Sequence, residues 1–269
     1  MDVTTIEDDR AARCHANCIE YAREGARRSL SSGEICERDG VVLIATGSDF
    51  AIIANVAFRL DPAVPAEDVI RAADSWFGER GRGWSLGTTS WSGIDEDLRS
   101  AAEANGLIAT TDMPGMICDQ RLPDGPMPDG LEVRILETEQ EAADFISMCD
   151  LAYTSLGVPA GMFHAMAAPP LRTPPPHETT VGVFEDGVLL SGAQVMFSNG
   201  IAGVYAVGTA EAARGRGLAA LATRCVTNLA FDHGAPYVTL QASPMGESIY
   251  LRLGYRELYR YVNHTRFAC

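Results

Sequence analysis

Arg214-Gly215-Arg216-Gly217-Leu218-Ala219 joins a strand-like stretch at 201–209 to a helix-like stretch, and its reading decides the fold. Glycine adopts backbone angles closed to other residues and lets the chain come close to a ligand. The first turn of the following helix offers N–H groups with no intrahelical acceptor, together with the positive end of the peptide dipoles. Two glycines at such a junction suit a phosphate-bearing anion.

The helix after the loop brings Leu218, Leu221, Ala222, Cys225 and Leu229 to one face and stops at His233-Gly234, with Pro236 just beyond. Upstream, 181–184 and 188–197 flank Glu185-Asp186-Gly187, a hairpin signal. Residues 131–136 alternate like a strand, Thr138-Glu139-Gln140-Glu141 opens a helix running toward Leu156, and a proline-rich loop covers 169–176. Downstream, 237–241 reads as a strand, Ser243-Pro244 as the start of a short helix, Gly254 as its end, and 255–267 as a terminal strand. The second half is therefore expected in the order β-α-β-β-β-α-β-α-β.

The first half repeats part of this order, with a strand at 50–60, helix at 66–80, strand at 83–89, helix at 95–105 and strand material to 121. Its strand-to-helix joint, Asp61-Pro62-Ala63-Val64-Pro65-Ala66, has no glycine, so only the second half carries the phosphate cradle. The segment 120–130 holds three prolines and two glycines and places a boundary between modules 1–127 and 128–269. The expected class is α/β with a mixed sheet.

The 269 residues, 46% hydrophobic, suffice for well-formed cores. All 21 basic residues are arginine, and 36 acids bring the net charge to −15, which argues against a nucleic-acid surface. The acidic excess is concentrated in 1–130, as a solvated surface rather than a cation site. Seven cysteines without metal-type spacing point to free thiols, no metal and a cytoplasmic setting. The N-terminus lacks the pattern of a signal peptide, and no apolar run approaches the ~18 residues of a membrane span.

Gly215–Ala220 also satisfies G-x-G-x-x-A, the dinucleotide fingerprint, but Thr209–Arg214 intervenes after the strand, and the next strand ends Gln241-Ala242-Ser243 without an acid to hold a ribose. The run 214–219 instead resembles the R-x-x-G-x-A acetyl-CoA motif of the GNAT N-acetyltransferase superfamily. Leu240-Gln241-Ala242-Ser243 followed by Ile249-Tyr250-Leu251-Arg252-Leu253-Gly254-Tyr255 resembles the second signature of that family. The resemblance spans 131–269 as a catalytic module, with the first half as a degenerate copy, hence two GNAT-like modules in tandem.

The resemblance implies acetyl-CoA as acyl donor and a small-molecule or peptide amine as acceptor, with a homodimer as a further expectation. It implies that the amides of Gly215, Arg216, Gly217, Leu218 and Ala219 bind the pyrophosphate, with Arg214 opening the loop. Val207, Gly208 and Thr209 would lie along the pantetheine arm, although Val207 to Arg214 is longer than the usual spacing. Tyr250 matches the tyrosine that protonates the departing thiolate, against the alternative of helix packing on Met245, Ile249 and Leu253. Candidate bases are His177, Glu178, Glu211 and the terminal carboxylate of Cys269, none singled out. Tyr205 could line the acceptor site, and Trp76, Trp84 and Trp91 are expected to pack in the core. Without an evident base, a non-catalytic acyl-CoA sensor or assembly protein stands as the alternative.

Overall fold

A computed structural model describes residues 3–29, 32–166 and 177–268. The proline-rich stretch 169–176 and Cys269 lie outside them. The described residues group into two compact units, 1–115 with 258–269, and 116–257.

The first unit runs α1 (Val3–Arg28), β1 (Glu34–Arg38), β2 (Val41–Ala45), β3 (Asn55–Arg59), α2 (Ala66–Gly78), β4 (Trp84–Thr89), α3 (Glu96–Ala104) and β5 (Ile108–Cys118). The chain returns to it with its last strand, β11 (Arg256–Arg266). β1, β2 and β3 pair antiparallel, β3 pairs parallel with β4 across α2, and β4 pairs antiparallel with β11 from Thr89↔Tyr261 to Trp84↔Arg266. Hydroxyls add to this last seam: Ser85 Oγ lies 2.6 Å from Thr265 Oγ1, and Thr88 Oγ1 donates to the Val262 carbonyl at 3.1 Å. Val69, Ile70, Ala73 and Phe77 of α2 pack on Leu43, Ala57, Trp84 and Leu86. Trp76 and Trp84 belong to that core, while Trp91 lies in a short 3₁₀ turn with its ring against His15 and Tyr259.

The second unit runs β6 (Leu131–Ile135), α4 (Glu139–Thr154), α5 (Met162–Met166), β7 (Glu178–Glu185), β8 (Val188–Ser198), β9 (Ile201–Thr209), α6 (Leu218–Asp232), β10 (Val238–Gln241) and α7 (Glu247–Leu253). β6 to β9 are antiparallel neighbours, and β10 pairs parallel with β9 at Val238↔Ala202 and Thr239↔Gly203. The end of β5 belongs to this unit, where Thr239 Oγ1 donates to the Met116 carbonyl at 3.0 Å. The chain beyond it is clamped to α6, because Asn228 accepts from the Leu122 N–H at 2.8 Å and donates to its carbonyl at 3.1 Å. The proline-rich linker marks a change of composition, whereas pairing and side-chain clamps set the limits of the compact units.

Local chemistry explains the elements that position the site. Thr138 and Glu141 form a capping box on α4, each side chain accepting from the other's N–H. The Glu137 N–H, which donates to Glu141 at 2.9 Å, with the Arg134 guanidinium and the Thr138 N–H, holds the Glu141 carboxyl down at about 2. Asp186 and Gly187 take positive φ of 49° and 79°, the type I′ geometry of a two-residue hairpin. Along α6 the buried stripe includes Val226 and Ala230, while Cys225 and Leu229 are only partly covered. The short helix begins at Glu247, not at Pro244, because Ser243 first closes a turn by accepting the Gly246 and Glu247 N–H groups at 2.9 and 3.0 Å.

The two halves of the chain repeat the same run of elements. α1-β1-β2-β3-α2-β4-α3-β5 corresponds to α4/α5-β7-β8-β9-α6-β10-α7-β11, with β6 extra in the second copy. The sequence reading of the first half starts at the third strand of this run and misses α1, β1 and β2.

Candidate functional site

β9 ends at Thr209, and a 3₁₀ turn at Glu211–Ala213 leads to Arg214 in extended conformation. Gly215 and Gly217 then take φ of 78° and 80°, and Gly217 is the N-cap of α6, with no side-chain cap. A side chain at either position would force left-handed backbone, which only glycine adopts routinely. Among the described residues, the N–H groups of Gly215 through Ala220 have no hydrogen-bond acceptor. Gly217 contributes its carbonyl to the Leu221 N–H at 3.1 Å. The helix start therefore presents a row of donors and a dipole end without satisfying them internally.

β9 supplies the adjacent wall. Its pairing with β10 covers Ala202 and Gly203, and in that register Gln241, the end of β10, reaches no further than Tyr205, so Val207 to Thr209 run past β10. On the other edge the register to β8 breaks between Gly192 and Gln194, where Ala206 adopts φ of 49°. This bulge bends the strand and redirects the residues that follow it. Its end is held by Ser191 Oγ, which donates to the Gly208 carbonyl at 2.7 Å and lies 2.9 Å from Thr209 Oγ1.

α7 and the residue before it add Gly246, Ile249, Tyr250 and Arg252 to the lining. Tyr250 is 8% exposed, and Gly246 lies so close that a Cβ there would sit 2.7 Å from the phenol ring. Burial pushes the phenol up to about 12, so it stays protonated through the physiological range. Its hydroxyl has no protein partner among the described residues. Arg214 braces the opposite wall, donating to the Ala152 carbonyl at 3.1 Å and to Ser155 Oγ at 3.3 Å near the end of α4.

These walls enclose a cavity of about 390 Å³. Val207, Gly208, Thr209, Arg214, Gly215, Gly217, Leu218, Ala219 and Tyr250 all line it. Arg216 does not; its guanidinium turns outward to the Glu185 carboxylate at 3.0 Å, leaving only its backbone at the loop. The end of α4, with Tyr153 and Leu156, and the rim residues Met245, Ile249 and Arg252 are lining that the sequence reading does not foresee, although Ile249 and Arg252 lie inside the signature at 249–255. Among the described residues no aspartate or glutamate lines the cavity, in a chain with 36 of them. The site thus fits a phosphate-bearing, partly apolar ligand: backbone donors and the Arg214 guanidinium at the loop, aliphatic side chains in the walls, and the neutral phenol of Tyr250.

None of the base candidates among the described residues lines the cavity, and Cys269 lies outside those residues. Glu178 is buried at the start of β7 and accepts from Gln194 at 3.3 Å. Gln194 is the register partner of Tyr205, which is itself buried beside the bulge. Glu211 is exposed in the 3₁₀ turn, and neither it nor His177 lines the cavity. Among the described residues no cluster of His, Cys, Asp or Glu could hold a metal ion, and no helix is long and apolar enough to cross a membrane.

The first unit handles the corresponding place differently. The joint from β3 to α2 ends in Pro65, and the first turn of α2 carries Glu67 and Asp68, which disfavour an anion. Arg59, at the end of β3, fills the space between the two strand-to-helix joints. It donates to the carbonyls of Val64 and Ile94 at 3.3 and 2.6 Å and to Asp95 and Asp97 at 3.2 and 2.8 Å. Asp95 also accepts from the Thr89 N–H and hydroxyl, both at 2.9 Å. The joints of the first unit are thus tied together by a buried guanidinium.

No family model matches the chain, and no curated protein is significantly similar to it. Solved structures are similar in fold. A GCN5-related N-acetyltransferase from Kribbella flavida superposes with a TM-score of 0.67 at 20% identity, covering 91% of this chain and 94% of that one. A GCN5-related N-acetyltransferase from Sphaerobacter thermophilus gives 0.63 at 15% identity over 85% and 77%. A tandem GNAT protein from the clavulanic acid biosynthesis pathway gives 0.57 at 17% identity over 88% and 79%. The chain has the fold of the GCN5-related N-acetyltransferases, as two such modules in tandem.

Proposed function

We propose that the protein is an acetyl-CoA-dependent N-acetyltransferase acting on an amine, with its one donor site in the second unit. The observation that carries this reading is the cavity at the start of α6, lined by no acid among the described residues, whose walls combine unsatisfied backbone donors with a buried, neutral phenol. The amides of Gly215 to Ala219 bind the pyrophosphate, and Arg214 adds a fixed cation beside them. The edge of β9 at Val207 to Thr209, running past β10, aligns the pantetheine arm by backbone pairing.

Bound acetyl-CoA supplies the activated thioester. The amine nitrogen forms a bond to the carbonyl carbon, and the carbon–sulfur bond breaks. Tyr250 donates its phenolic proton to the leaving sulfur, a role that requires a neutral hydroxyl and a proton returned from solvent after release. The amine sheds its own proton before or during attack. The donor geometry at 214–219 serves binding, and Tyr250 serves the transition state.

The test is thiol release from acetyl-CoA against a panel of small amines and peptides. Thiol release that depends on an amine, with a matching acetylated product, supports transfer. Cofactor binding without release above background across the panel would favour the sensor or assembly reading instead.

A further inference from the structure

We propose that Cys149 of α4 is a positioning residue for the donor: it holds the bulge of β9, and with it the strand edge at Val207 to Thr209, in the geometry that receives the pantetheine arm. This rests on the reading of the cavity as an acetyl-CoA site and adds the group that shapes its strand wall.

Two glycines that are register partners, Gly192 of β8 and Gly208 of β9, meet α4. Each lacks the side chain that would keep the helix away. A Cβ on Gly192 would sit 2.8 Å from the Phe145 ring, and one on Gly208 would sit 2.9 Å from Cys149 Sγ. Phe145 and Cys149 are four residues apart and therefore share one face of α4, so a pair of glycines seats a pair of side chains. Both side chains are buried, that of Cys149 completely.

The seat falls where β9 departs from regular pairing. Register to β8 breaks between Gly192 and Gln194, and Ala206 takes φ of 49°, a left-handed backbone that alanine adopts only under constraint. Cys149 Sγ supplies part of that constraint by donating to the Ala206 carbonyl at 3.5 Å. Burial, with the Asp150 carboxylate adjoining, pushes the thiol well above its ordinary value, so the sulfur keeps the hydrogen it donates. Ser191 Oγ takes the Gly208 carbonyl at 2.7 Å. Side chains thus fix the backbone at 206–208 where the ladder is interrupted, and Val207, Gly208 and Thr209 line the cavity. None of these contacts involves the loop at 214–219, so the thiol acts on the strand wall and not on the pyrophosphate cradle.

The experiment is calorimetric titration of the full chain, well below its melting temperature, with coenzyme A and with ADP, which carries the pyrophosphate without the pantetheine arm. The variants are Cys149→Ala, Gly208→Ala and the two together. Cys149→Ala should bind coenzyme A about fivefold more weakly, because the bulge then holds the receiving geometry only about one-fifth of the time. Gly208→Ala should bind it about tenfold more weakly or worse, because the new methyl meets the thiol. The double variant should bind more tightly than Gly208→Ala alone, since the methyl takes the space the sulfur leaves. ADP should bind the native protein and all three variants alike. Unchanged coenzyme A affinity in Cys149→Ala, an additive loss in the double variant, or a loss that ADP shares would overturn the positioning role while leaving the donor site in place. Failure of the native protein to bind coenzyme A would overturn the donor site and the role together.

Discussion

Replacing Gly217 separates the backbone requirement of the loop from its charge requirement. Gly217 caps α6 at φ of 80°, and a Cβ added there would meet open space, so the cost of a substitution is conformational rather than steric. Left-handed backbone costs an L-residue about 1–2 kcal/mol, with asparagine and aspartate at the low end. For a chain of this size, 1 kcal/mol lowers the melting temperature by about 2–4 °C. Gly217→Asn and Gly217→Asp should therefore lose a similar few degrees without ligand. With ligand they should diverge, because a carboxylate about 4 Å from a phosphate charge costs roughly 4 kcal/mol at near-surface screening. Acetyl-CoA at 100 times its dissociation constant stabilises a protein by about 2.7 kcal/mol. That shift should largely survive in Gly217→Asn and vanish in Gly217→Asp, as read by thermal unfolding with and without acetyl-CoA. Equal ligand shifts in the two variants would refute a pyrophosphate at this helix start.

Other outcomes follow from the same geometry. Tyr250→Phe keeps the ring that packs beside Gly246 and removes the proton donor; turnover should fall about 10²-fold or more with donor affinity nearly unchanged, by steady-state kinetics and calorimetry. Arg59→Ala leaves Asp95 buried without its cation, so denaturant unfolding should show a loss of about 3 kcal/mol, and a loss below about 1 kcal/mol would contradict a buried ionic tie. Burial pulls His15 down to about 4, against the opposing Asp95 carboxylate, so the folded state binds its proton at lower pH than the unfolded chain. Its contribution is complete above the ordinary value of 6.5 and lost as pH falls from there to about 4, on the order of 3 kcal/mol, which a pH series of unfolding midpoints in native protein and His15→Gln would reveal. Tyr250 works at the other end of the scale: folded at about 12 against an ordinary 10, it contributes stability that is intact below pH 10 and lost through that interval.

The second half is legible because its signals are local. Asp186-Gly187, the Thr138–Glu141 box, the two loop glycines and Gly254 each need a specific backbone geometry, and each adopts it. The first half contains one equal signal outside the elements expected there: Asp39-Gly40, with φ of 50° and 74°, turns β1 into β2 by the same device. α1 is harder, because its buried face, with Ala11, Cys14 and Ile19, is narrow and interrupted by His15 and Asn17. The return of β11 to the first unit is a long-range pairing, Tyr261 with Thr89 for example, that no local pattern encodes. Among the site residues, the loop follows from glycine chemistry and Tyr250 from family resemblance. The wall at Tyr153 and Leu156 depends on how α4 lies beside β9, and the Arg59 tie on two joints meeting in space.

The central claim is one acetyl-CoA site per chain, in the second unit. Calorimetric titration of the intact protein with acetyl-CoA tests it most directly. Saturable binding of one ligand per chain is expected, abolished by Gly217→Asp and retained in Arg59→Ala. Two ligands per chain, or binding indifferent to Gly217→Asp, would contradict it.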